Sequence, residues 1–121
     1  MKRIIFTEHA PAPIGPYSQA VLINDTLYCS GQIAMDCLSG DVAEQTDRVC
    51  KNIAAVLKAA DMQICDVVKT MCFLAQMSDF AEFNTVYERF FAHKPARSCI
   101  AAKELPKGAL VEIEVVAVKG Y

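Results

Sequence analysis

Residues 110–119, LVEIEVVAVK, decide the fold, because they have the pattern of a β-strand with two unlike faces. Successive side chains of a strand point to opposite sides of the sheet. One face is wholly apolar and is expected to pack on helices; it consists of Val111, Ile113, Val115 and Ala117. The other carries two carboxylates followed by two valines, at Glu112, Glu114, Val116 and Val118. This second face predicts a surface that is half subunit interface and half polar pocket.

The segments before this strand predict the order β, β-hairpin, α, β, α, β, β. A short first strand precedes a Pro/Gly-rich loop at residues 9–16. Further strands are predicted at residues 17–23, 26–30, 67–74 and 96–101. Asn24-Asp25 is the turn candidate of the hairpin.

Two amphipathic helices complete the chain, at residues 42–60 and 79–93. Asp41 and Glu44 resemble a capping box at the start of the first helix, and Ser78 is the expected N-cap of the second. Two helices cannot cover both faces of so large a sheet. The predicted fold class is therefore α+β, a two-layer domain over residues 1–121 with both helices on one face of a mixed sheet.

The bulk composition limits the classes of function. The chain is 54% hydrophobic and 21% charged, which is typical of a globular domain. Its formal net charge of −2 argues against a nucleic-acid partner, since such proteins are usually basic. No apolar run approaches the ~20 residues of a membrane span, and the run at residues 4–6 is too short for a signal peptide. We expect a cytoplasmic protein with no membrane partner.

The six cysteines are expected to be free thiols. None forms a C-x-x-C pair, and the two histidines, His9 and His93, are far apart in sequence. Metal sites usually show clustered ligands at set spacings, so no metal is predicted.

Arg97, Cys99 and Glu112 are the first candidates for chemistry. Arg97 and Cys99 have the same parity, and if their strand pairs with the last one, both could join Glu112, and also Glu114, on the helix-free face. A guanidinium there would suit a carboxylate ligand, and a nearby glutamate could accept a proton. The alternative interpretation is a cross-strand ion pair with Cys99 as a small buried apolar residue.

Beyond these candidates, the sequence as a whole resembles the RidA/YjgF family of reactive imine/enamine deaminases. The resemblance covers nearly the whole chain, in family order and near family spacing. It rests on residues 14–20 (IGPYSQA), 30–32 (SGQ), 79–81 (DFA), 95–99 (PARSC), 105–108 (LPKG) and 112–114 (EIE), together with Asn84 and Tyr87.

The resemblance implies a chorismate-mutase-like fold and a homotrimer in which three sheets enclose a barrel, with active sites between subunits. It also implies hydrolysis of 2-iminobutanoate and 2-iminopropanoate to 2-oxo acids and ammonia, without a metal or organic cofactor. Carried over, Arg97 would clamp the substrate carboxylate, Glu112 would activate water, and Tyr17 would close the pocket from the adjacent subunit. The remaining substrate-binding residues would be Ser30, Gly31, Asn84 and Cys99.

The sequence and the resemblance lead to three expectations that a structure can test. Arg97 and Glu112 must project into one cavity, and their placement on opposite sides of the final strands would contradict that arrangement. The nearby positive charge should lower the pKa of Glu112, although burial would oppose this. Asp61 stands where the family often ends its first helix with glycine, a position that favours left-handed backbone.

Two other functions stay open on the sequence. Some relatives carry the label of endoribonuclease or translation inhibitor, although this acidic chain lacks a basic run with interleaved aromatics. A non-catalytic, metabolite-binding or chaperone-like trimer would keep Arg97 as an anion anchor without turnover.

Overall fold

The computed structural model describes residues 1–120, which form six strands and two α-helices. The strands are β1 (Lys2–Ile5), β2 (Ala20–Ile23), β3 (Thr26–Gln32), β4 (Val67–Leu74), β5 (Ala96–Ala101) and β6 (Val111–Val118). The helices are α1 (Val42–Ala59) and α2 (Phe80–Phe90). No helix among these residues is both long enough and apolar enough to span a membrane.

All six strands join one mixed sheet in the order β1-β2-β3-β6-β4-β5. The β4–β5 pair is parallel, as expected for strands joined through a helix, and every other pair is antiparallel. The predicted hairpin is confirmed, with Asn24 in the left-handed region at φ 53°. Both helices pack on one face, so the predicted α+β class is confirmed.

The ends of α1 follow from its sequence. Asp41 and Glu44 form the predicted capping box: the Asp41 carboxylate accepts from the Glu44 N–H, and the Glu44 side chain accepts from the Asp41 N–H. At the other end Asp61 has φ 58°, and the Met62 N–H donates to the Leu57 carbonyl at 2.9 Å. An aspartate therefore occupies the left-handed position that closes the helix.

The limits predicted for α2 are wrong by a few residues. Its N-cap is Asp79, without a side-chain cap hydrogen bond, and Ser78 lies in the short 3₁₀ turn before it. The Ser78 hydroxyl donates to the Gln76 side chain instead. The helix ends at Phe90 and not at His93, whose ring pairs with the Val67 carbonyl at 2.8 Å.

The core lies between the helices and the sheet face they cover. Val111, Ile113, Val115 and Ala117 of β6 are all at most 2% exposed, as the alternation predicts. The opposite face is uncovered in a single chain and exposes several large apolar side chains: Ile4, Ile23, Tyr28 and Ile100.

One irregularity in β3 positions the candidate site. Cys29 pairs with Val115, but Gln32 pairs with Ile113, so three steps along β3 match two along β6. This β-bulge contains Ser30 and Gly31. Bulges bend a strand and redirect the neighbouring side chains, and they are frequent beside active sites.

Candidate active site

A cleft of about 610 Å³ opens between the Pro-rich loop, the β3 bulge and the start of β6. Four of the predicted site residues line it: Tyr17, Ser30, Gly31 and Glu112. The remaining wall is largely apolar and consists mainly of Pro11, Ala12, Ile14, Ile33, Met35 and Pro106. The cleft therefore combines one carboxylate with an apolar surround.

Gly31 is the floor against which the Glu112 side chain lies. A Cβ atom built on Gly31 would overlap Oε2 of Glu112 and would lie 2.9 Å from its Cδ and 3.2 Å from its Cγ. The φ angle of Gly31 is outside the left-handed region. The absence of a side chain at Gly31 thus makes room for the carboxylate rather than permitting an unusual backbone.

Burial governs the electrostatics of Glu112. Its pKa is raised above the ordinary value of 4.5, first by partial burial and second by the charge of Glu114 two residues along β6. Of the two opposing effects expected from the sequence, burial is the one found in the single chain, because Arg97 is not among the groups that act on Glu112. A carboxylate with a raised pKa is a better proton acceptor than an ordinary one.

Arg97 lies on the helix-covered side of β5. Its Nη1 donates to Oδ1 of Asn84 at 2.7 Å, and Asn84 belongs to α2. The guanidinium carbon is 4.9 Å from the ring centroid of Tyr87 and 5.4 Å from that of Phe80. Cation–π contacts and a hydrogen bond fix this guanidinium, which has donors left for an anionic ligand.

Arg97 and Glu112 therefore lie on opposite faces of the sheet, and the predicted gathering on the helix-free face is wrong. Arg97 of β5 pairs with Thr70 of β4. The Thr70 side chain is buried and hydrogen-bonds to the Tyr87 hydroxyl of α2, so it points to the helix layer. Glu112 pairs with Phe73, on the other side. The prediction assumed that β5 pairs with β6, but β4 lies between them, so a cross-strand Arg97–Glu112 ion pair is excluded as well.

Cys99 shares the face of Arg97. It pairs in register with the buried Cys72, and it is half-buried at the edge of the sheet. Burial raises the pKa of its thiol, although the Arg97 charge opposes this. The thiol is therefore protonated near neutral pH and is a poor nucleophile.

The predicted residues thus form two groups in one chain. The cleft group is Tyr17, Ser30, Gly31 and Glu112, and the helix-face group is Asn84, Arg97 and Cys99. The cleft group can orient water or move a proton, and the helix-face group can bind an anion. Within one chain these two groups lie on opposite faces of the sheet.

Three further polar residues line the cleft and had not been assigned to the site: Gln19, Gln32 and Lys107. Lys107 lines the cleft from a tight turn, with φ 59°, and Gln19 lines it while being only 1% exposed. Lys107 belongs to the LPKG segment at residues 105–108, which contributes to the family resemblance but supplied no predicted site residue. A buried glutamine next to a Pro-rich loop is a signal that could have identified Gln19, because such an amide must find partners.

Within residues 1–120 no three His, Cys, Asp or Glu side chains are grouped closely enough to hold a metal ion. All six cysteines are free thiols.

The chain is similar to known proteins over nearly its whole length. The family model described as Endoribonuclease L-PSP matches residues 7–119. The chain is 46% identical to a RutC family protein of Pyrococcus horikoshii, across 98% of this chain and 99% of that protein. It is 45% identical to human 2-iminobutanoate/2-iminopropanoate deaminase, across 99% of this chain and 92% of that protein.

The fold is also found among solved structures. That of E. coli TdcF with bound serine superposes with a TM-score of 0.92 at 36% identity, covering 98% of this chain and 99% of that chain. The two chains therefore share one fold over nearly their whole length.

Proposed function

The chain belongs to the endoribonuclease L-PSP family, the RidA/YjgF family that its motifs resemble, and from this premise we propose that it hydrolyses 2-imino acids to 2-oxo acids and ammonia. The observation that carries the proposal is a half-buried carboxylate, that of Glu112, seated in a cleft large enough for a small organic acid. The name of the human relative supports the same chemistry.

The proposed site is composite and contains residues from two subunits. Tyr17, Gly31 and Glu112 come from one copy, and Arg97 comes from the next. Two observations support this: the groups lie on opposite faces within one chain, and Arg97 is on the edge strand β5, which a neighbour can approach. The uncovered apolar sheet face is a suitable interface for closed assembly, and we propose a homotrimer.

The proposed reaction needs a positioned anion and a positioned water. Arg97 holds the substrate carboxylate through its free N–H donors, and Glu112 accepts a proton from water as the oxygen bonds to the C=N carbon. The C=N electron pair moves to nitrogen, which takes that proton from Glu112 to give a neutral carbinolamine. Glu112 then accepts the carbinolamine hydroxyl proton as the C=O bond forms and the C–N bond breaks, and it passes this proton to the departing nitrogen, which leaves as ammonia. The proposed location is the cytoplasm, where the six free thiols would persist.

The first experiment couples a threonine dehydratase to the purified protein and follows the formation of 2-oxobutanoate. We expect the wild type to accelerate product release and Arg97→Ala to give near-background rates. Arg89→Ala is the matched control, because Arg89 is an exposed arginine of α2 outside both groups. If Arg97→Ala keeps full activity, the proposal fails.

A mixing experiment tests the composite site. Inactive Arg97→Ala and Glu112→Ala proteins are unfolded together and reassembled in equal amounts. About three quarters of random trimers are mixed and each holds one intact site of three, so about a quarter of wild-type activity should return. No recovery despite mixed assembly would refute a site shared between subunits.

Two rival functions give different outcomes in the same assays. RNA cleavage that survives Arg97→Ala, without imine hydrolysis, would favour the endoribonuclease function in the family's description. Saturable binding of 2-oxobutanoate without turnover would favour a metabolite-binding protein.

A further inference from the structure

The loop that forms one wall of the cleft has little internal support. Residues 6–19 connect β1 to β2 without helix or strand, and they contribute four cleft-lining side chains before Gln19: Pro11, Ala12, Ile14 and Tyr17. Among the described residues 7–18, the one backbone–backbone hydrogen bond joins the Tyr17 N–H to the Gly15 carbonyl at 2.9 Å. Three of these residues are prolines, which have no N–H to donate.

The side chain of Gln19 supplies much of the missing support. Its Nε2 donates to the carbonyls of Pro11 at 2.9 Å, Thr7 at 3.1 Å and Ala10 at 3.4 Å. Its Oε1 accepts from the Thr7 N–H at 2.7 Å. A second anchor is the Ser30 hydroxyl, which donates to the Ser18 carbonyl at 2.6 Å. One buried amide thus holds the first half of the loop, at residues 7, 10 and 11, close to the segment that carries Tyr17.

These contacts leave Gln19 no N–H donor to offer a ligand. An amide nitrogen has two hydrogens, and here three carbonyls of the loop share them. The side chain is 1% exposed although it borders the cleft. Its effect on any bound molecule must therefore pass through the loop.

We propose that Gln19 is a positioning residue, whose amide holds the Pro-rich loop and so places Tyr17 and the apolar wall over the cleft. This inference rests on the proposed function only for its activity measurement. A loop that has lost its anchor would still connect β1 to β2, but Tyr17 would sample positions away from Glu112.

The direct test measures loop position without using activity. The chain has no tryptophan, so Tyr17→Trp introduces a single reporter. Adding Gln19→Leu, which keeps the size but removes all four hydrogen bonds, should shift the emission to longer wavelength and increase acrylamide quenching. Gln19→Glu should shift emission and quenching in the same direction, because it keeps the Oε1 acceptor and loses both N–H donors. This variant replaces Gln19→Leu if the leucine variant does not fold.

Gln45→Leu is the matched control. Gln45 is also fully buried, with its amide bonded to the Leu38 and Gly40 carbonyls and to the Leu110 N–H, but it does not line the cleft. It should destabilise the protein comparably while leaving the reporter spectrum unchanged. If Gln19→Leu and Gln19→Glu leave emission and quenching as in Tyr17→Trp alone, the inference is overturned.

The activity measurement adds a separate criterion. In the native Tyr17 background, Gln19→Leu should lower kcat/KM about 10- to 100-fold, the scale expected for a cleft group displaced by about 1 Å. The loss should shrink when Tyr17→Ala is already present, since both changes act on the same loop; full additivity would contradict the inference. If the wild type itself lacks activity, the proposed function fails while the fluorescence result still decides the role of Gln19.

Discussion

Gly31→Ala is the substitution with the most direct structural consequence for the cleft. The added Cβ overlaps Oε2 of Glu112 and lies 2.9 Å from Cδ, whereas carbon atoms in contact are normally about 3.5 Å or more apart. The carboxyl carbon must therefore move by about 0.6 Å, and the overlapping oxygen must move further. Since a 1 Å misplacement can cost about 100-fold, we expect kcat/KM to fall by about that factor.

The coupled threonine dehydratase assay measures this loss, and a double-mutant cycle assigns its cause. Once Glu112→Ala has removed the carboxylate, Gly31→Ala should cause little further change in kcat/KM, giving a coupling of about 1–3 kcal/mol. Thermal unfolding should show both single variants folded, because the φ of Gly31 suits alanine. Near-wild-type activity of Gly31→Ala, or losses that simply add, would refute the idea that Gly31 exists to seat Glu112.

Three further changes test the cause of the raised Glu112 pKa, the absence of a nucleophilic role for Cys99, and the left-handed position that closes α1. Glu114→Gln removes a negative charge that raises the pKa of Glu112, so the acidic limb of kcat/KM against pH should move to lower pH; movement to higher pH would contradict the assigned cause. Cys99→Ala should retain most imine hydrolysis, because burial keeps the thiol protonated, and complete loss in a folded protein would be contrary evidence. Asp61→Gly should raise the free energy of unfolding in urea by about 0.5–1 kcal/mol by relieving a left-handed aspartate, whereas Ala59→Gly in the exposed end of α1 should lower it.

The alternation within each strand was sufficient to predict much of the fold. The apolar face of β6 follows from side-chain parity, and the limits of β4 follow from a run of β-forming residues. The Asp41–Glu44 capping box follows from local hydrogen-bonding chemistry. These features depend on residues close in sequence.

The relation between strands could not be predicted in the same way. Parity shows that Arg97 and Cys99 share a face, but not which face of the sheet it is. That depends on β4 pairing with both β5 and β6, which is a matter of topology and register. The helix layer then provides Asn84 and the two aromatic rings that hold Arg97, and these contacts span strand and helix.

The bulge in β3 makes the chain length between Leu27 and Gln32 as important as the residue types within it. Both of those side chains point into the core, although their numbers differ in parity, because one additional residue is accommodated between them. Deleting Ser30 or Gly31 would restore regular pairing and leave both of those side chains on the core face, but it would remove the bulge that places Gly31 against Glu112. Tolerated substitutions in this segment should thus outnumber tolerated insertions and deletions, and homologues should keep its length even where their residues diverge.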